Sequence, residues 1–413
     1  MTPQIVVTGM GTINPLGHSV EETWARAVEG VSGVGPITLL DHSDFQVHIA
    51  CEVKGFDPNA WMDLREARRR DRYEQFATAA ARQALTQAGL STPFADPGRV
   101  AVIVASAIGG LATFEEGIRE LLTNGPRRVS PFLIPMFMAN GAAGMLGIDF
   151  GARGPTFSIA SACASGADAL GQAWLLLRAG VIDVALAGAS EATISRIGIT
   201  AFDRVGALSR RNELPYCTPS PFDKNRDGLV MGEGSAVLVL ETREHAERRG
   251  AEILGELAGY AASGDAFHIT APAEDGAGGA AAIQLALASA GLSPQDVDYI
   301  NAHGTGTALN DAAETRAIRR AMGDRAATVP VSSTKSMTGH MMGATGALEA
   351  IFCLQAIRSG TIPPTINYTT PDPECDLDVV PNTARRQPVR VAISNAFGFG
   401  GHNAVLVFKK FPG

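Results

Sequence analysis

Positive charge is scarce in this sequence, and long apolar runs are missing from it. Lysine and arginine number 34 against 42 aspartates and glutamates, so the formal net charge is −8. This balance argues against general affinity for nucleic acid, and any basic docking surface must be local. No run of about 18 uncharged apolar residues occurs, and the first residues lack the basic and apolar regions of a signal peptide. We therefore expect neither nucleic-acid nor membrane partners.

Cysteine is also sparse, and the pattern of the few cysteines argues against the usual structural uses of thiols. The five are odd in number, widely scattered and free of any C-x-x-C pair: Cys51, Cys163, Cys217, Cys353 and Cys375. This pattern speaks against both a disulfide framework and a zinc site. Free thiols persist in a reducing compartment, so the expected location is the cytoplasm.

What is present is an ordinary globular composition with alternating strands and helices. Hydrophobic residues make up 46% and charged residues 18% of the 413 residues, enough for a large core. The pattern predicts buried strands at 99–106, 183–188 and 235–241, and helices at 73–88, 242–249 and 277–290. A glycine follows each helix, as is typical of helix C-termini. The alternation predicts an α/β fold.

Two motif matches fail at a required position. Gly9-x-Gly11 follows a strand, as in dinucleotide-binding folds, but the third glycine position is Asn14 and no acidic residue ends a second strand at the expected interval. Asp223 opens a stretch that matches the first half of a calcium loop, but the twelfth position is Gly234, where glutamate is needed. Neither a dinucleotide cofactor nor calcium is expected.

One cysteine has a context that suits a nucleophile. A β-prone run at 156–159 gives way to small residues around Cys163 and then to a helical pattern over 168–178. Cys163 is therefore expected at a strand-to-helix turn, where unpaired amides and the positive helix end favour the thiolate. By itself this context fits a buried structural cysteine better, so the assignment depends on the rest of the chain.

Two histidines and a lysine in the second half of the chain follow predicted strands. A strand at 297–302 leads into His303, and a strand beginning at Val329 leads to Lys335 and His340. Ligands bind at the carboxyl ends of strands in open α/β sheets, which favours a functional role for these side chains over a structural one.

A glycine-dense stretch near the end of the chain, 393–403, offers backbone amides. Its glycines free the backbone to approach a ligand, and exposed amides there can bind an oxyanion. A β-bulge explains the same glycines equally well. Taken together, a cysteine, two histidines, a lysine and amide donors suit acyl transfer through a thioester.

Arginines cluster at two places in this acidic chain. Five of them fall within eight positions, 65–72, and another two follow at Arg127 and Arg128. A solvated helix face and a docking site for an acidic partner explain the first cluster equally well, and the second cluster strengthens the docking hypothesis.

Two pairs of segments resemble each other within the chain. The stretch 232–240 resembles 400–408, and a helix ending at Gly180 resembles one ending at Gly360, with separations of 168 and 180 residues. Such similar separations predict two related α/β halves, which we place at 1–252 and 253–413. Chance similarity stays open because the matching segments are short.

Six motifs resemble those of the elongating, class II β-ketoacyl-acyl carrier protein synthases of fatty acid synthesis. They are TGMGTINPLG at 8–17, ASACASG at 160–166, PFDKNRDGLVMGEG at 221–234, NAHGTGT at 301–307, STKSMTGH at 333–340 and NAFGFGGHN at 395–403. The catalytic set of this class is one cysteine, two histidines and a lysine. It differs from that of initiating synthases, which resembles a Cys-His-Asn triad, and from that of thiolases, which includes a second cysteine. The resemblance spans essentially the whole chain and implies the thiolase fold, a five-layered αβαβα architecture of two duplicated halves, as a homodimer.

The resemblance also implies catalytic roles. Cys163 would take the acyl chain from acyl carrier protein as a thioester, while His303 and His340 would stabilise the enolate formed when malonyl-acyl carrier protein loses carbon dioxide. Claisen attack on the acyl-enzyme would extend the chain by two carbons. The amides of Cys163 and Phe399 would form the oxyanion hole, with the Phe399 ring as a gate, and Lys335 would hold the network electrostatically.

Further positions are carried over from the same family. The supporting acidic side chains are Asp311, Glu314 and Glu349. The contacts to the phosphopantetheine arm are Thr305, Thr307 and Thr270. The acyl tunnel is lined by Ile108, Phe202 and, across the dimer, Leu133 and Ile134, where Leu133 replaces the aromatic residue of many members. The carrier-protein docking residues are Arg65, Arg68, Arg69, Arg127 and Arg128. A structural monovalent cation in some members lies near the positions of Asn301, Glu349, Ser394 and Asn395.

No catalytic metal and no cofactor of the enzyme's own are implied, since phosphopantetheine arrives on the carrier protein. Two alternatives remain. An aromatic polyketide ketosynthase would share these residues and act on another acyl chain. A non-catalytic partner subunit that shapes the tunnel would lack the active cysteine, so Cys163 speaks against it.

Overall fold

A mixed ten-stranded sheet organises the computed structural model, which describes residues 2–213 and 217–412. The strands of the described chain are β1 (Ile5–Ile13), β2 (Gly35–Pro36), β3 (Ile49–Ala50), β4 (Val100–Ala105), β5 (Thr156–Phe157), β6 (Val184–Glu191), β7 (Gly234–Thr242), β8 (Gly255–Gly264), β9 (Tyr299–Asn301), β10 (Val331–Ser332), β11 (Thr361–Ile362), β12 (Arg385–Arg386), β13 (Val391–Gly398) and β14 (His402–Lys409).

Helices alternate with these strands. They are α1 (Val20–Glu29), α2 (Leu64–Ala67), α3 (Arg72–Ala88), α4 (Leu111–Asn124), α5 (Leu133–Phe137), α6 (Gly141–Phe150), α7 (Ser165–Arg178), α8 (Arg196–Arg204), α9 (Arg243–Arg248), α10 (Ala277–Ser289), α11 (Ala308–Met322), α12 (Lys335–Thr338) and α13 (Thr345–Ser359). The six strands and helices predicted from the sequence all form, and their ends agree to within three residues. The α/β prediction is confirmed.

The strand order contains a duplication. It runs β10-β9-β13-β14-β8-β1-β7-β6-β4-β5. From β1 outward the pairings are antiparallel with β7, antiparallel from β7 to β6, then parallel to β4 and β5. From β8 outward the same sequence of pairings runs through β14, β13, β9 and β10. The two strand sets join where Val6 and Val7 pair with Glu256 and Gly255.

Five layers follow from how the helices pack. Helices α3 and α6 cover the outer face of the first strand set, and α10 and α11 cover that of the second. Helices α7 and α13 lie between the two sets in the largest hydrophobic core. They cross closely at two glycines. A Cβ on Gly166 would come within 2.8 Å of the Ala347 nitrogen, and a Cβ on Gly346 would come within 3.0 Å of the Ala167 nitrogen. The predicted αβαβα thiolase fold is confirmed.

The resembling segments of the sequence occupy matching places in the two halves. The pair separated by 168 residues forms β7 and β14, and the pair separated by 180 residues ends α7 and α13. The division at residue 252 itself stays a prediction. In the part of the chain that the structure describes, no helix combines the length and apolarity that a bilayer crossing requires.

Candidate active site

The turn that carries Cys163 is held by its own neighbours. A short 3₁₀ turn, Ala162–Ala164, leads directly into α7, as the strand-to-helix pattern predicted. Ala162 adopts a φ of +50°, a left-handed conformation that costs energy outside glycine. Ser165 stabilises it, since its hydroxyl donates to the Ala162 carbonyl at 2.6 Å and accepts from the Ser161 amide at 2.9 Å.

The second half places a matching turn opposite the first. The 3₁₀ turn Met342–Ala344 leads into α13, and Met342 has a φ of +43°. His340 comes just before this turn. Its amide donates to the Val230 carbonyl at 2.8 Å, and its Nδ1 lies 3.0 Å from the Thr345 hydroxyl. The side chain is thereby oriented with Nε2 unpaired within the described chain.

Three reactive groups meet between these turns. The Cys163 sulfur and one ring nitrogen each of His303 and His340 lie within 4.8 Å of one another. The two imidazole rings are 5.3 Å apart, edge to face. These atoms are also a potential metal-ligand set, so the expectation that no catalytic metal is bound stays a prediction. A substrate carbonyl at this point contacts a thiol and two imidazoles at once.

Backbone amides complete the site beside the thiol. A Cβ on Gly398 would lie 2.9 Å from the Cys163 nitrogen and 3.0 Å from the Ser161 carbonyl oxygen, so only glycine permits this approach of β13. The amides of Phe399 and Cys163 both stabilise negative charge on the sulfur. The Phe399 ring stacks against Phe202 with centroids 6.3 Å apart.

The protonation of the thiol differs from the sequence-based expectation. Burial raises the pKa of the Cys163 thiol to about 11, although Lys335 and the neighbouring amides lower it. The amides at the helix start lower the pKa as predicted, but desolvation of the charged form outweighs the amides and the lysine, so the free site favours the thiol.

Both histidines are neutral. Burial, and after it the nearby Lys335 ammonium, hold the pKa of His303 and of His340 well below the usual range. A neutral imidazole can donate one N–H to a ligand oxygen. The site therefore provides hydrogen-bond donors that keep their protonation state at physiological pH.

A buried ion pair lies behind the histidines. Lys335 Nζ and Glu349 Oε1 are 2.6 Å apart, and their side chains are 0% and 1% exposed. Burial raises the pKa of Glu349 to about 7, against the effect of Lys335. The pair sets the electrostatic environment of the site, since Lys335 acts on the cysteine and on both imidazoles.

Two further carboxylates hold the loop that carries His303. Glu314 accepts hydrogen bonds from the His303 and Gly304 amides, both at 2.7 Å, and from the Asn395 side chain at 3.1 Å. Asp311 accepts from the amide of Phe222 at 2.8 Å. Burial raises the pKa of both carboxyl groups. Their contacts fix the loop from which the histidine projects.

A cavity leads from the surface to the cysteine. It is lined by Cys163, His303, His340 and Phe399 together with four of the predicted substrate-contacting residues, Thr305, Thr307, Thr270 and Phe202. The hydroxyls of Thr305 and Thr307 are 2.9 Å apart.

The other three predicted tunnel residues, Ile108, Leu133 and Ile134, do not line this cavity. Leu133 packs beside Gly117, and Ile134 is 60% exposed. The role of these three residues in the acyl tunnel stays a prediction.

The arginine clusters divide between surface and interior. Arg65, Arg68, Arg127 and Arg128 are exposed, and the Arg69 guanidinium lies 4.7 Å from the centroid of Phe132, close in sequence to the second cluster. The other two arginines of the first run serve the fold: Arg70 pairs with Asp149 and Arg72 with Glu233, each at 2.7 Å. We call Arg65, Arg68, Arg69, Arg127 and Arg128 together the arginine patch.

Four buried oxygens near the site lack hydrogen-bond partners within the described chain. They are Asn301 Oδ1, Glu349 Oε2, Ser394 Oγ and Asn395 Oδ1. Buried polar atoms are nearly always paired with protein, water or an ion. These are the four residues predicted to surround a monovalent cation.

Sequence reasoning missed several residues that shape the site. Asp168 accepts from the Ser161 hydroxyl at 2.5 Å and from the Tyr260 hydroxyl at 2.8 Å. Arg226 donates to the Thr307 carbonyl at 3.3 Å. Glu191 contacts loops of both halves. Among these three residues, only Glu191 had a local sequence signal of its own, because a charged residue at the end of a buried strand is unusual.

Comparison with known proteins decides the family. Residues 2–246 match the model of the beta-ketoacyl synthase N-terminal domain, and residues 254–369 match that of the C-terminal domain. The chain belongs to the beta-ketoacyl synthase family. The synthase is 47% identical over 408 residues to a 3-oxoacyl-[acyl-carrier-protein] synthase 2 of Staphylococcus aureus, covering 99% of this chain and 98% of the relative. It is 48% identical over 408 residues to the protein of that name from Synechocystis, with the same coverage.

Solved structures agree with this assignment. The synthase superimposes with a TM-score of 0.92 and 37% identity on a type II polyketide ketosynthase in complex with its acyl carrier protein, over 100% of both chains. A beta-ketoacyl synthase from Burkholderia phymatum gives a TM-score of 0.92 at 34% identity, over 99% of this chain and 100% of the other. The resemblance found in the sequence is confirmed, and the synthase is a condensing enzyme of the acyltransferase class.

Proposed function

We propose that the synthase elongates fatty acyl chains by condensing an acyl group held on Cys163 with malonyl-acyl carrier protein. The convergence of the cysteine sulfur with two neutral imidazoles carries this proposal. The names of relatives that share about half of the sequence give the acyl carrier protein and the 3-oxoacyl product, and malonyl as the second substrate is what the family resemblance implies. Phosphopantetheine arrives on the carrier protein, so the enzyme needs no cofactor of its own.

In the first half-reaction the Cys163 sulfur attacks the carbonyl carbon of the acyl thioester. The amides of Cys163 and Phe399 stabilise the tetrahedral oxyanion. The carbon–sulfur bond to the carrier then breaks, and the carrier thiol leaves with the proton that the cysteine has lost. Because the free thiol is largely protonated, proton transfer accompanies this step.

In the second half-reaction malonyl thioester loses carbon dioxide. His303 and His340 donate hydrogen bonds to the thioester oxygen, where charge develops in the enolate. The enolate carbon attacks the acyl carbon, and the bond to the Cys163 sulfur breaks. The product is a 3-oxoacyl thioester two carbons longer, and the released Cys163 thiolate takes up a proton from solvent. Lys335, Glu349, Glu314 and Asp311 keep the histidines oriented and neutral.

The carrier protein would dock on the arginine patch. Acyl carrier proteins are acidic, and four of the five arginines are exposed without a close carboxylate partner among the described residues. The patch borders the segment leading to Leu133, since the Arg69 guanidinium lies over Phe132, and a carrier docked there would insert its pantetheine arm into the cavity that contains Thr270, Thr305 and Thr307. Complementary charge of this kind mainly accelerates association.

The working unit would be a homodimer. Strand β5 ends the sheet with β4 as its single neighbour, and unpaired edges recruit other strands. Exposed apolar side chains lie nearby in the sequence, with Ile134 60% and Ile148 78% exposed. A partner covering them would supply Leu133 and Ile134 to the acyl tunnel, which would then continue beyond Phe399 and past Ile108.

A monovalent cation would fit among the four unpaired oxygens of Asn301, Glu349, Ser394 and Asn395. Hard cations prefer oxygen ligands, and binding would satisfy acceptors that are otherwise buried without partners. Thermal unfolding in potassium chloride, compared with tetramethylammonium chloride at equal ionic strength, tests this site. The midpoint should be higher in potassium, and equal midpoints would reject the proposal.

The second candidate is a ketosynthase of a polyketide pathway. It is favoured by the polyketide ketosynthase that matches the whole chain at 37% identity. The higher identity to synthases named for 3-oxoacyl products favours fatty acid elongation. An assay across saturated and unsaturated acyl-carrier primers separates the two, because a fatty acid synthase accepts reduced chains of many lengths. Failure to extend any reduced primer, with activity on malonyl units alone, would favour the polyketide alternative.

Substitution of the nucleophile tests the mechanism. Cys163→Ala should abolish condensation of acyl and malonyl thioesters, and persistent condensation would end this assignment. Cys163→Gln should retain decarboxylation of malonyl thioester without condensation. Cys217→Ala is the matched control, because Cys217 is an exposed thiol outside the cavity; it should leave both activities unchanged.

A further inference from the structure

Glu191 is a buried carboxylate at the meeting point of the two halves. It ends β6, and its two oxygens accept four hydrogen bonds. Oε1 accepts from the Ser106 hydroxyl at 2.7 Å and from the Ile108 amide at 3.3 Å, while Oε2 accepts from the Ala107 amide at 2.8 Å and from the Gly343 amide at 3.1 Å. Nothing proposed above for the reaction uses this side chain.

The contacts of Glu191 parallel those of Glu314. Glu314 accepts from two successive amides, His303 and Gly304, in the loop after β9. Glu191 accepts from two successive amides in the loop after β4, which is the strand that corresponds to β9 in the other half. Each half thus fixes the loop after its inner parallel strand with a buried glutamate. In one half that loop carries a histidine, and in the other it carries Ile108.

Glu191 also bridges the halves. The Gly343 amide belongs to the turn that follows His340, and a Cβ at this position would lie 2.7 Å from Glu191 Oε2 and 2.8 Å from the Ala107 nitrogen. The carboxylate therefore joins the loop on the acyl side to the turn on the malonyl side. It is also close enough to Cys163 for its negative charge to act on the thiol.

We propose that Glu191 is a positioning residue that fixes the acyl-side loop, 106–108, against the turn at Gly343 and so aligns the acyl chain with the thiol. Anchoring Ile108 sets where the acyl chain can lie. Anchoring Gly343 fixes the same loop relative to His340, so that the acyl carbon and the enolate meet at a constant separation. This inference rests on the proposed role of Cys163 as the acyl carrier.

The test is Glu191→Gln. Glutamine keeps the shape, and its one carbonyl oxygen can still accept from Ala107 and Gly343. Its NH₂ group then faces the Ser106 hydroxyl and the Ile108 amide. The hydroxyl can accept a hydrogen bond from the NH₂ group, whereas the amide N–H cannot. The Ile108 anchor is therefore lost selectively. We expect transfer of a long acyl chain onto Cys163 to slow about tenfold, while a two-carbon acyl group is transferred at close to the normal rate.

The chain offers a matched control. Glu52 is likewise buried and accepts from two successive amides, Thr38 and Leu39, and from the Thr38 hydroxyl. Glu52→Gln therefore makes the same chemical change outside the residues that line the cavity. It should leave the ratio of long-chain to short-chain transfer rates unchanged.

A second readout separates positioning from simple loosening of the fold. The charged groups that act on the Cys163 thiol are Lys335 and Glu191, and the neutral His303 and His340 lie beside it. Removing the Glu191 charge should shift the pH profile of Cys163 alkylation by iodoacetamide toward lower pH. If Glu191→Gln does not fold, Ser106→Ala removes one contact of the carboxylate and should shift the chain-length ratio in the same direction by a smaller factor.

The outcomes are distinguishable. An unchanged chain-length ratio in the folded Glu191→Gln variant, together with an unshifted alkylation profile, would overturn the inference. Equal slowing of long and short chains would overturn it as well, because that pattern indicates general disruption. If wild-type Cys163 accepts no acyl group from any carrier, the proposed function fails instead.

Discussion

Replacing Lys335 by methionine isolates the electrostatic part of the site. The unbranched methionine keeps the packing of the lysine stem and removes the ammonium that lies 2.6 Å from Glu349. Removing one partner of a fully buried ion pair typically costs about 3–5 kcal/mol, because the other charge is left uncompensated. For a chain of 413 residues, an unfolding entropy of about 2.1 cal/mol/K per residue converts this cost into a fall in Tm of about 3–6 °C.

The loss should depend on pH with a definite sign. The pKa of Glu349 is about 7 in the fold, above its unfolded value, so this group contributes stability that is present at low pH and lost as pH rises through the folded pKa. Without Lys335 the folded pKa rises further. Below pH 7 both proteins hold the carboxyl protonated; above pH 7 the deficit of the variant grows by up to about 1.4 kcal/mol per pH unit. The fall in Tm should therefore be larger at pH 8.5 than at pH 6.

Thermal unfolding at fixed protein concentration is the assay, with Lys410→Met, a change at an exposed lysine, as the control. The double variant Lys335→Met with Glu349→Met should recover part of the lost stability at pH 8.5, because it removes the buried carboxyl that otherwise has to take up a proton on folding. Equal falls in Tm at the two pH values, or a double variant no more stable than the single one at pH 8.5, would refute the reasoning.

Three further outcomes are expected. Charge reversal by Arg68→Glu should raise the apparent KM for acyl carrier protein about tenfold, because association becomes slower. The apparent KM for free pantetheine thioesters should not change. The control Arg386→Glu, on an exposed strand in the other half, should leave the KM for acyl carrier protein unchanged. Gly398→Ala should slow acyl transfer at least tenfold, because its Cβ would press on the Cys163 amide. The control Gly98→Ala should leave the rate unchanged, since its Cβ would have only an ordinary contact at 3.7 Å. In the Cys163→Gln variant, the rate of decarboxylation should stay constant from pH 8 to pH 5.5, because burial keeps the histidine pKa values far below 6.5. A fall in the rate with an apparent pKa near 6.5 would contradict this expectation.

The parts of the site that lie in contiguous motifs were predictable from the sequence. Cys163, His303, Lys335 and His340 stand at strand ends or helix starts, and a local pattern suffices to find such positions. The fold was predictable too, because the strand–helix alternation and the internal repeat are both visible along the chain. Family resemblance then supplied the roles that residue types alone left open.

Other features depend on contacts that no local pattern reveals. Glu191 owes its position to Gly343, which lies 152 residues away. The sequence shows the helix start, whose amides favour the Cys163 thiolate, but it does not show the depth of burial, which makes the thiol the favoured form. Leu133 and Ile134 do not line the cavity of their own chain, so their proposed role depends on an assembly that sequence patterns do not describe. Arg70 and Arg72 resemble their exposed neighbours in sequence and differ only by the carboxylates that they meet.

The close crossing of α7 and α13 at Gly166 and Gly346 has an evolutionary consequence. Each half contributes one of the two crossing helices, α7 or α13, to the core between the strand sets, so half of the chain alone would leave one face of that helix without a partner. An ancestral half-length protein would therefore have worked as a symmetric pair with two equivalent turns. In the fused chain the equivalent positions of the two turns differ, with a thiol at Cys163 and no side chain at Gly343. The two structurally equivalent turns thus form a single asymmetric site.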